Sequence, residues 1–361
     1  MRVNLQQASN KFIMSDLSLF NTSAVGNPNN NIFGLPFTEE EALLVILPVP
    51  WEVTVSYGAG TSRAPEHIYQ SSIQVDLYDK DVTNGWQQGF FMREVDKKML
   101  LKSDYLRKEA ELYINYISKG DKVADNKFMT KSLKEINEGS AYMNNWVYEQ
   151  TSSLLNKGKL VGILGGDHSV SLGYMKALQE KHGSFGILQI DAHCDLRNSY
   201  EYFTYSHASS MYNALTEIPN INKLIQVGIR DYCDEEWNMI SNSNNRIITY
   251  LDQEIKEKQF EGQTWKSITD EMINHLPEKV YLSFDIDGLD RKLCPNTGTP
   301  VPGGFESEEI IYLVKKMIES GRQLIGFDLV EVGVGNTEWD SNVGARILWR
   351  LCNLMVKNSI K

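Results

Sequence analysis

The sequence is poor in several features that would identify whole classes of protein. It has four cysteines among 361 residues, and none of them forms a C-x-x-C pair or a disulfide framework, which favours a reducing compartment. No apolar run approaches the roughly 20 residues that a membrane-spanning helix needs. The first 20 residues also lack the continuous apolar core of a secretory signal peptide. We therefore expect a cytoplasmic protein with no membrane partner.

Positive charge is also scarce. The 36 lysines and arginines are outnumbered by 47 aspartates and glutamates, which gives a formal net charge of -11. Because nucleic acids are bound through clusters of lysine and arginine, we expect no nucleic-acid partner. With 42% hydrophobic and 23% charged residues, the composition is that of an ordinary globular protein.

Short apolar runs alternate with helical patterns from residue 159 onward. Runs such as KLVGILGG and SFGILQIDAHCD predict strands, and SEEIIYLVKKMIES predicts a helix. This alternation is typical of a parallel sheet that is covered by helices on both faces. We therefore predict a single α/β domain with three layers, α-β-α, and a ligand site at the carboxyl ends of the strands.

The first part of the chain is less regular. Residues 1–40 carry asparagine, serine and glycine clusters and predict an N-terminal arm with little regular structure, followed by the main domain at 41–361. Residues 93–157 are charged and rich in helix formers, and helix breaks are predicted at Gly120 and Gly139. We interpret this region as a helical insertion in the domain.

Three of the predicted strands end in residues that commonly bind metals. In two of them the polar residues recur at every second position, so their side chains would leave the same face of the strand. Because the carboxyl ends of parallel strands meet at one edge of a sheet, we expect all of these groups to converge. The six residues are His168, Asp191, His193, Asp195, Asp285 and Asp287.

A cluster of two imidazoles and four carboxylates requires positive charge. Four carboxylates within a few ångströms cannot all stay ionised unless cations offset them, which predicts a pair of divalent ions that activate water. The oxygen-rich ligand set favours Mn²⁺ over Zn²⁺, with nickel, cobalt or iron as alternatives. LGGDHS could instead be a phosphate-binding turn, but it lacks the lysine of a P-loop and the third glycine of a dinucleotide fingerprint.

Three motifs resemble those of the ureohydrolase family, which includes arginases, agmatinases, guanidinobutyrases and formimidoylglutamases. They are GGDHS at 165–169, DAHCD at 191–195 and SFDIDGLD at 283–290. The resemblance implies an arginase-like fold and a binuclear manganese centre that is held by the same six residues. It also implies that activated water cleaves a guanidino carbon–nitrogen bond, which releases urea and an amine, and that the subunits form a trimer or hexamer.

The resemblance also assigns roles to single residues. Asp195 would hold the attacking water and relay its proton, and His207 in TYSHASS would pass a proton to the departing amine. Glu331 in FDLVEVGVG matches the carboxylate that pairs with the substrate guanidinium, although alone it could be a strand-end cap. Trp51 and Tyr57 could present aromatic faces to the substrate, but we expect both to pack in the core.

The substrate is less constrained than the reaction. GTPVPGG at 298–304 and the segment 195–209 are most similar to the agmatinase branch, which implies hydrolysis of agmatine to putrescine and urea. Arg197 stands where arginases usually carry an asparagine, and it could either bind a substrate carboxylate or pair with Glu201. The alternatives are hydrolysis of 4-guanidinobutyrate, guanidine or N-formimidoylglutamate, or a non-catalytic relative that binds metal or ligand.

Overall fold

One parallel sheet forms the centre of the molecule. The computed structural model describes Leu17 and residues 20–359, and in this part of the chain eight strands pair in the order β2-β1-β3-β8-β7-β4-β5-β6, all of them parallel. This confirms the predicted α/β class. The strands are β1 Leu44–Val49, β2 Phe90–Met92, β3 Leu160–Gly165, β4 Phe185–Ile190, β5 Ile221–Ile229, β6 Ile247–Leu251, β7 Lys279–Asp285 and β8 Gln323–Val330.

Helices cover both faces of this sheet. Residues of α2 to α5 belong to the core on one face, and residues of α1 and α7 to α10 belong to the core on the other. Among the described residues, no helix is both long and apolar enough to cross a bilayer. The helices are α1 Ala64–Ser72, α2 Lys97–Ile117, α3 Lys127–Asn156, α4 Leu172–His182, α5 Ser210–Glu217, α6 Asp234–Ser241, α7 Asp252–Phe260, α8 Trp265–Asn274, α9 Ser307–Glu319 and α10 Trp339–Ser359.

Strand β1 shows why the sequence contains continuous apolar runs. Its side chains alternate between the two cores, since Leu44 and Ile46 lie in one and Val45 and Leu47 lie in the other. Every residue of the strand is buried. A strand with helices on both faces needs apolar residues at successive positions, unlike a strand with one face in water.

The helical region at 93–157 contains α2 and α3, which pack on one face of the sheet. Gly120 lies in the turn between them with φ of 85°, a conformation that glycine adopts without strain. The predicted break at Gly139 is wrong, because α3 continues through it. A Cβ at Gly139 would lie 2.2 Å from Cδ1 of Leu106, so the glycine allows α2 and α3 to pack closely. That this region is an insertion remains a prediction.

The described part of the predicted N-terminal arm contains little regular structure beyond a 3-10 helix at Ile32–Gly34. It is nevertheless part of the core, since Ile32 and Leu35 are fully buried. The ring of Phe33 packs against the rings of Phe90 and Trp349, with centroids 6.3 and 4.9 Å away. Residues 1–16, 18 and 19 lie outside the described residues. The boundary between arm and domain therefore stays a prediction.

Asp81, in the segment before β2, makes ion pairs with one residue of α9 and one residue of α10. Its Oδ1 lies 2.6 Å from Nζ of Lys315 and its Oδ2 lies 2.9 Å from Nη2 of Arg350. These cations hold the pKa of Asp81 below its ordinary value of 3.8. The stabilisation is therefore complete above pH 3.8 and is lost as the pH falls through the lower pKa of the folded state.

We expect Asp81→Asn to lower the free energy of unfolding by about 1 kcal/mol at pH 7, since partly buried ion pairs of this kind contribute about that much. The loss should shrink as the pH falls below 3.8. Urea denaturation of both proteins across this pH range measures the difference. Asp76→Asn, at an exposed position in the same segment, is the control and should change stability little. A pH-independent loss would contradict the prediction.

Candidate metal centre

Four neighbouring strands of the sheet carry the predicted site residues at their carboxyl ends. β3, β8, β7 and β4 lie side by side in that order. His168 follows β3, Glu331 follows β8, Asp285 is the last residue of β7, and Asp191 follows β4. Residues that are far apart in the sequence therefore meet, because strands that are distant in the chain are adjacent in the sheet.

Two overlapping groups of ligand-type atoms form at this edge. His168, Asp191 and Asp285 make up the first group, and Asp191, His193 and Asp287 make up the second. Within each group, the ligand atoms lie within 4.8 Å of one another. Asp191 belongs to both groups, so its carboxylate stands between two positions that could each hold a cation.

The ring of His168 has a defined orientation. Its Nε2 lies 2.8 Å from Oγ of Ser283, and this hydroxyl donates to the buried carboxylate of Asp328 at 2.8 Å. Because the serine proton is directed to Asp328, Nε2 of His168 carries the ring proton and donates it to Oγ. Nδ1 then presents a lone pair to the cluster, where it is buried without a hydrogen-bond partner among the described residues. A metal-binding histidine has this arrangement.

Carboxylates crowd around Nδ1 of His168. The Oδ2 atoms of Asp195, Asp191 and Asp285 lie 2.9, 3.2 and 3.5 Å from it. Burial, followed by the charge of Asp191, raises the pKa of Asp195 to about 7. Burial and the nearby carboxylate of Asp287 raise the pKa of Asp285 well above its ordinary value. Acids placed this closely resist ionisation unless cations offset their charge, so the donor set fits divalent metal ions.

The three residues after β4 do not share one face of a strand, which corrects the prediction from their spacing. The strand ends before Asp191, and the segment that follows is irregular. Asp195 has φ of 54°, in the left-handed region, which turns the chain back. Asp285 and Asp287 also do not share one face of a strand, since Asp285 ends β7 and Asp287 lies in a 3-10 helix. The side chains therefore meet through turns and not through the pleat of a strand.

A cavity of about 460 Å³ opens above the cluster. It brings His207 and Glu331 into the same space as four of the six predicted ligands. It also contains several side chains for which the sequence suggested no role. These side chains include Ser56, Tyr200, Asp231, Glu236, Arg291 and Thr299.

His207 is buried at the wall of this cavity. Its backbone N–H donates to Oγ1 of Thr54 at 3.0 Å, and its Nδ1 lies 3.4 Å from the same oxygen. Burial is the main cause that lowers the pKa of His207, to about 3. The ring is therefore neutral at physiological pH and has a nitrogen that can accept a proton.

Glu331 is held at a fixed position beside the cluster. Its Oε1 accepts the backbone N–H of His168 at 2.9 Å, and its own N–H donates to the carbonyl of Gly166 at 2.8 Å. Burial, and then the carboxylate of Asp167, raise the pKa of Glu331 well above its ordinary value. A cation in the cavity would favour the ionised form.

The two aromatic residues of the early glycine-containing loop have different positions. Trp51 is fully buried in the core, as predicted. Tyr57 is 83% exposed and lines the cavity, so the prediction that it packs in the core is wrong. The phenol ring therefore remains available at the mouth of the cavity.

One of the two roles predicted for Arg197, an ion pair with Glu201, is not observed. Its Nε lies 3.8 Å from Oε2 of Glu236, and Glu236, rather than Glu201, is its carboxylate partner. The guanidinium is stacked over the ring of Tyr200, 5.1 Å from the centroid. Glu236 itself accepts the backbone N–H groups of Leu196 and Cys233. Arg197 thus lies at the cavity wall, where its guanidinium makes no side-chain hydrogen bond within the described part of the chain.

Several polar residues that support the site were missed by reasoning from the sequence. Gln189 and Gln226 are buried in strands and bond to the segment that carries the ligands. Arg230 donates to the carbonyls of Asp287 and Val301, which joins two loops at the cavity. A signal was present, because ILQID and LIQVG each contain one glutamine within an otherwise apolar strand run.

The sequence pattern of the arginase family matches residues 42–352. The chain belongs to the arginase family. The resemblance to ureohydrolases is therefore confirmed, and this arginase-family protein is an enzyme that hydrolyses guanidino carbon–nitrogen bonds. The family is one of binuclear metal enzymes, which agrees with the two groups of Asp and His ligands.

Individual relatives cover most of the arginase-family chain. It is 29% identical over 294 residues to the N(1)-aminopropylagmatine ureohydrolase of Thermus thermophilus, which is 81% of this chain and 83% of that protein. It is 28% identical over 299 residues to the agmatinase of Bacillus anthracis, with 82% and 84% covered. The crystal structure of the agmatine ureohydrolase of Thermoplasma volcanium matches with a TM-score of 0.67 and 21% identity, over 94% of this chain and 96% of that one. The last match confirms the arginase-like fold.

Proposed function

We propose that the protein is a manganese-dependent hydrolase of a small guanidino compound, with two Mn²⁺ ions in each subunit. The observation that carries this proposal is the pair of ligand groups that overlap at Asp191. When bound, a metal pair of this kind supplies Lewis acidity and makes water nucleophilic at neutral pH. The residues that would hold it are His168, Asp191, His193, Asp195, Asp285 and Asp287.

The remaining steps fall to side chains of the cavity. Asp195, whose Oδ2 lies 2.9 Å from Nδ1 of His168 beside the cluster, would hold the attacking water by a hydrogen bond and take up its proton. Glu331 would pair with the planar guanidinium and place its carbon above the cluster. His207 is neutral at physiological pH; it would take up a proton released by the attacking water and transfer it to the departing amine, which leaves the ring neutral again. Urea and the free amine are then the products.

Agmatine is the first candidate substrate. Asp231 is exposed at the cavity and makes no ion pair among the residues that the structure describes, so it could pair with the ammonium tail of agmatine. The two relatives described above, an N(1)-aminopropylagmatine ureohydrolase and an agmatinase, both carry names of cationic substrates. The products would be putrescine and urea.

The second candidate is 4-guanidinobutyrate, which ends in a carboxylate. Arg197 and Arg291 both line the cavity. An arginine guanidinium binds a carboxylate through two parallel hydrogen bonds, and the pairing of Arg197 with Glu236 at 3.8 Å is too long to occupy those donors. These two arginines are the observation that favours an anionic tail.

A panel assay tests the proposal directly. The purified protein is supplied with Mn²⁺, its metal content is measured, and urea release is followed with agmatine, N(1)-aminopropylagmatine, 4-guanidinobutyrate and guanidine. Formamide release tests N-formimidoylglutamate. We expect two metal ions per subunit and the highest kcat/KM with agmatine. A protein without stoichiometric metal and without turnover would be a non-catalytic relative, and the proposal would fail.

Substitutions of two cavity residues distinguish a substrate with an ammonium tail from one with a carboxylate tail. We expect Asp231→Asn to raise KM for agmatine about fivefold, because a solvent-accessible ion pair contributes about 1 kcal/mol. Arg197→Gln should leave KM for agmatine unchanged and should raise KM for 4-guanidinobutyrate. Steady-state kinetics with both substrates measure the difference. If only Arg197→Gln affected the preferred substrate, the anionic candidate would replace agmatine.

We further propose that the enzyme is a cytoplasmic homo-oligomer, a trimer or a hexamer. The acidic composition and the few cysteines support the compartment. The oligomeric state rests on the family resemblance. Size-exclusion chromatography with light scattering tests it, and a monomer at micromolar concentration would overturn it.

A further inference from the structure

Three polar side chains cross the sheet next to the candidate metal centre. Gln189 on β4 is paired in register with Gln226 on β5, which is paired in register with Thr249 on β6. Both glutamines are fully buried, and the residues on either side of each in its strand are apolar. A buried amide costs free energy unless its donors and acceptor are hydrogen-bonded, so these residues require a structural or functional reason.

Thr249, Gln226 and Gln189 form a hydrogen-bonded ladder, in which each side chain donates to the next one nearer the metal centre. Thr249 Oγ1 donates to Oε1 of Gln226 at 2.7 Å. Nε2 of Gln226 donates to Oε1 of Gln189 at 2.8 Å, and Nε2 of Gln189 donates to Oδ2 of Asp191 at 2.8 Å. Flipping either amide would direct its oxygen at another acceptor, so the carboxylate of Asp191 and the carbonyls of His193 and Cys194 set the orientation of both glutamines. The hydroxyl of Thr249 completes the chain by donating to the oxygen that this orientation leaves facing it.

The second hydrogen of each amide binds the backbone of the ligand-bearing segment. Nε2 of Gln189 donates to the carbonyl of His193 at 3.2 Å, and Nε2 of Gln226 donates to the carbonyl of Cys194 at 2.8 Å. This segment has no regular secondary structure and ends in Asp195, whose positive φ is uncommon outside glycine. The ladder therefore supplies hydrogen bonds where a regular strand would have supplied its own.

We propose that Gln189 and Gln226 are positioning residues, which fix Asp191 and the turn to Asp195 in the geometry that binds the metal pair. The inference rests on the proposed function, since it takes both aspartates as ligands. Among the described residues, Gln226 makes no hydrogen bond to a ligand side chain, and it acts through Gln189 and the carbonyl of Cys194. Groups that orient metal ligands in this way affect metal affinity, and their loss typically costs about 10- to 100-fold.

Three variants test the ladder in the full-length protein. Gln226→Met keeps the length of the side chain and removes its hydrogen bonds. Thr249→Val removes only the hydroxyl that donates to Gln226, and Thr249→Ser keeps that hydroxyl. Calorimetric titration of the metal-free proteins with Mn²⁺ gives the affinities, and thermal unfolding of the same samples gives the stability of the fold.

We expect Gln226→Met to weaken binding of at least one Mn²⁺ ion by about 10-fold or more. Thr249→Val should change the affinity in the same direction by a smaller factor, and Thr249→Ser should bind like the wild type. The spectrum of bound Co²⁺ should change in Gln226→Met and remain unchanged in Thr249→Ser. If Gln226→Met does not fold, the two Thr249 variants decide the question.

Unchanged Mn²⁺ affinity in Gln226→Met and Thr249→Val would overturn the inference. A loss of thermal stability without a loss of affinity would also overturn it, since the ladder would then support only the fold. A wild-type protein that bound no Mn²⁺ would overturn the proposed function and this inference with it. If only the inference about the glutamines were wrong, the wild type would still bind two ions and turn over substrate.

Discussion

Asp191→Asn is expected to abolish most of the activity and to reduce the bound metal. Asp191 is shared by the two ligand groups, and its Oδ2 and Oδ1 lie 3.2 and 3.6 Å from Nδ1 of His168 and His193. The amide has nearly the same shape as the carboxylate but carries no charge. The variant therefore removes one negative charge from both proposed cation positions while it preserves the packing.

The expected loss in kcat/KM is about a thousandfold, which corresponds to about 4 kcal/mol of transition-state stabilisation that a metal site can supply. Elemental analysis should show fewer than two ions per subunit. Asp290→Asn is the matched control, because Asp290 follows Asp287 in the segment after β7, has a side chain that is 41% exposed and belongs to neither ligand group. If Asp191→Asn kept two metals and full activity, the ligand assignment would be wrong.

Glu331→Gln is expected to lose activity but to retain its metal. The amide oxygen can still accept the N–H of His168, which the carboxylate accepts at 2.9 Å, so the local structure should persist. The negative charge that would pair with the substrate guanidinium is lost. Truncation of a buried charge pair costs about 2–5 kcal/mol, which predicts a decrease in kcat/KM of about 30-fold or more.

The measurements for this variant are urea release and metal content together. Loss of activity with two ions still bound would support a role for Glu331 in substrate binding, whereas loss of metal would indicate a role in the cluster. Glu338→Gln, at an exposed position soon after it, is the control and should behave like the wild type. Unchanged kcat/KM in Glu331→Gln would contradict the proposed pairing.

The convergence of the predicted ligands could be foreseen from the sequence because it depends on a simple property of parallel sheets. Polar residues that follow apolar strands lie at one edge, so His168, Asp191 and Asp285 had to be near one another once their strands were adjacent. The detailed geometry of the ligand side chains could not be predicted from the sequence in this way. Asp195 reaches His168 through a left-handed turn, and no spacing rule predicts such a turn at an aspartate.

Other features depended on contacts between distant parts of the chain. Gly139 predicts a helix break by local propensity, but its close approach to Leu106 on another helix reverses that preference. The carboxylate that meets Arg197 could not be inferred, because Glu236 comes from α6 and not from the neighbouring sequence. Short β2 was also missed, since three residues carry too little periodicity to predict a strand.

The order of strands in the sheet has a consequence for the biogenesis of the enzyme. β8 is the last strand of the described chain to leave the ribosome, yet it lies between β3 and β7 at the centre of the sheet. Until it arrives, two partial sheets present unpaired inner edges, which are prone to mispairing and slow to join. Glu331 follows that same strand. Insertion of β8 would therefore close the sheet and bring Glu331 to the cavity in the same step.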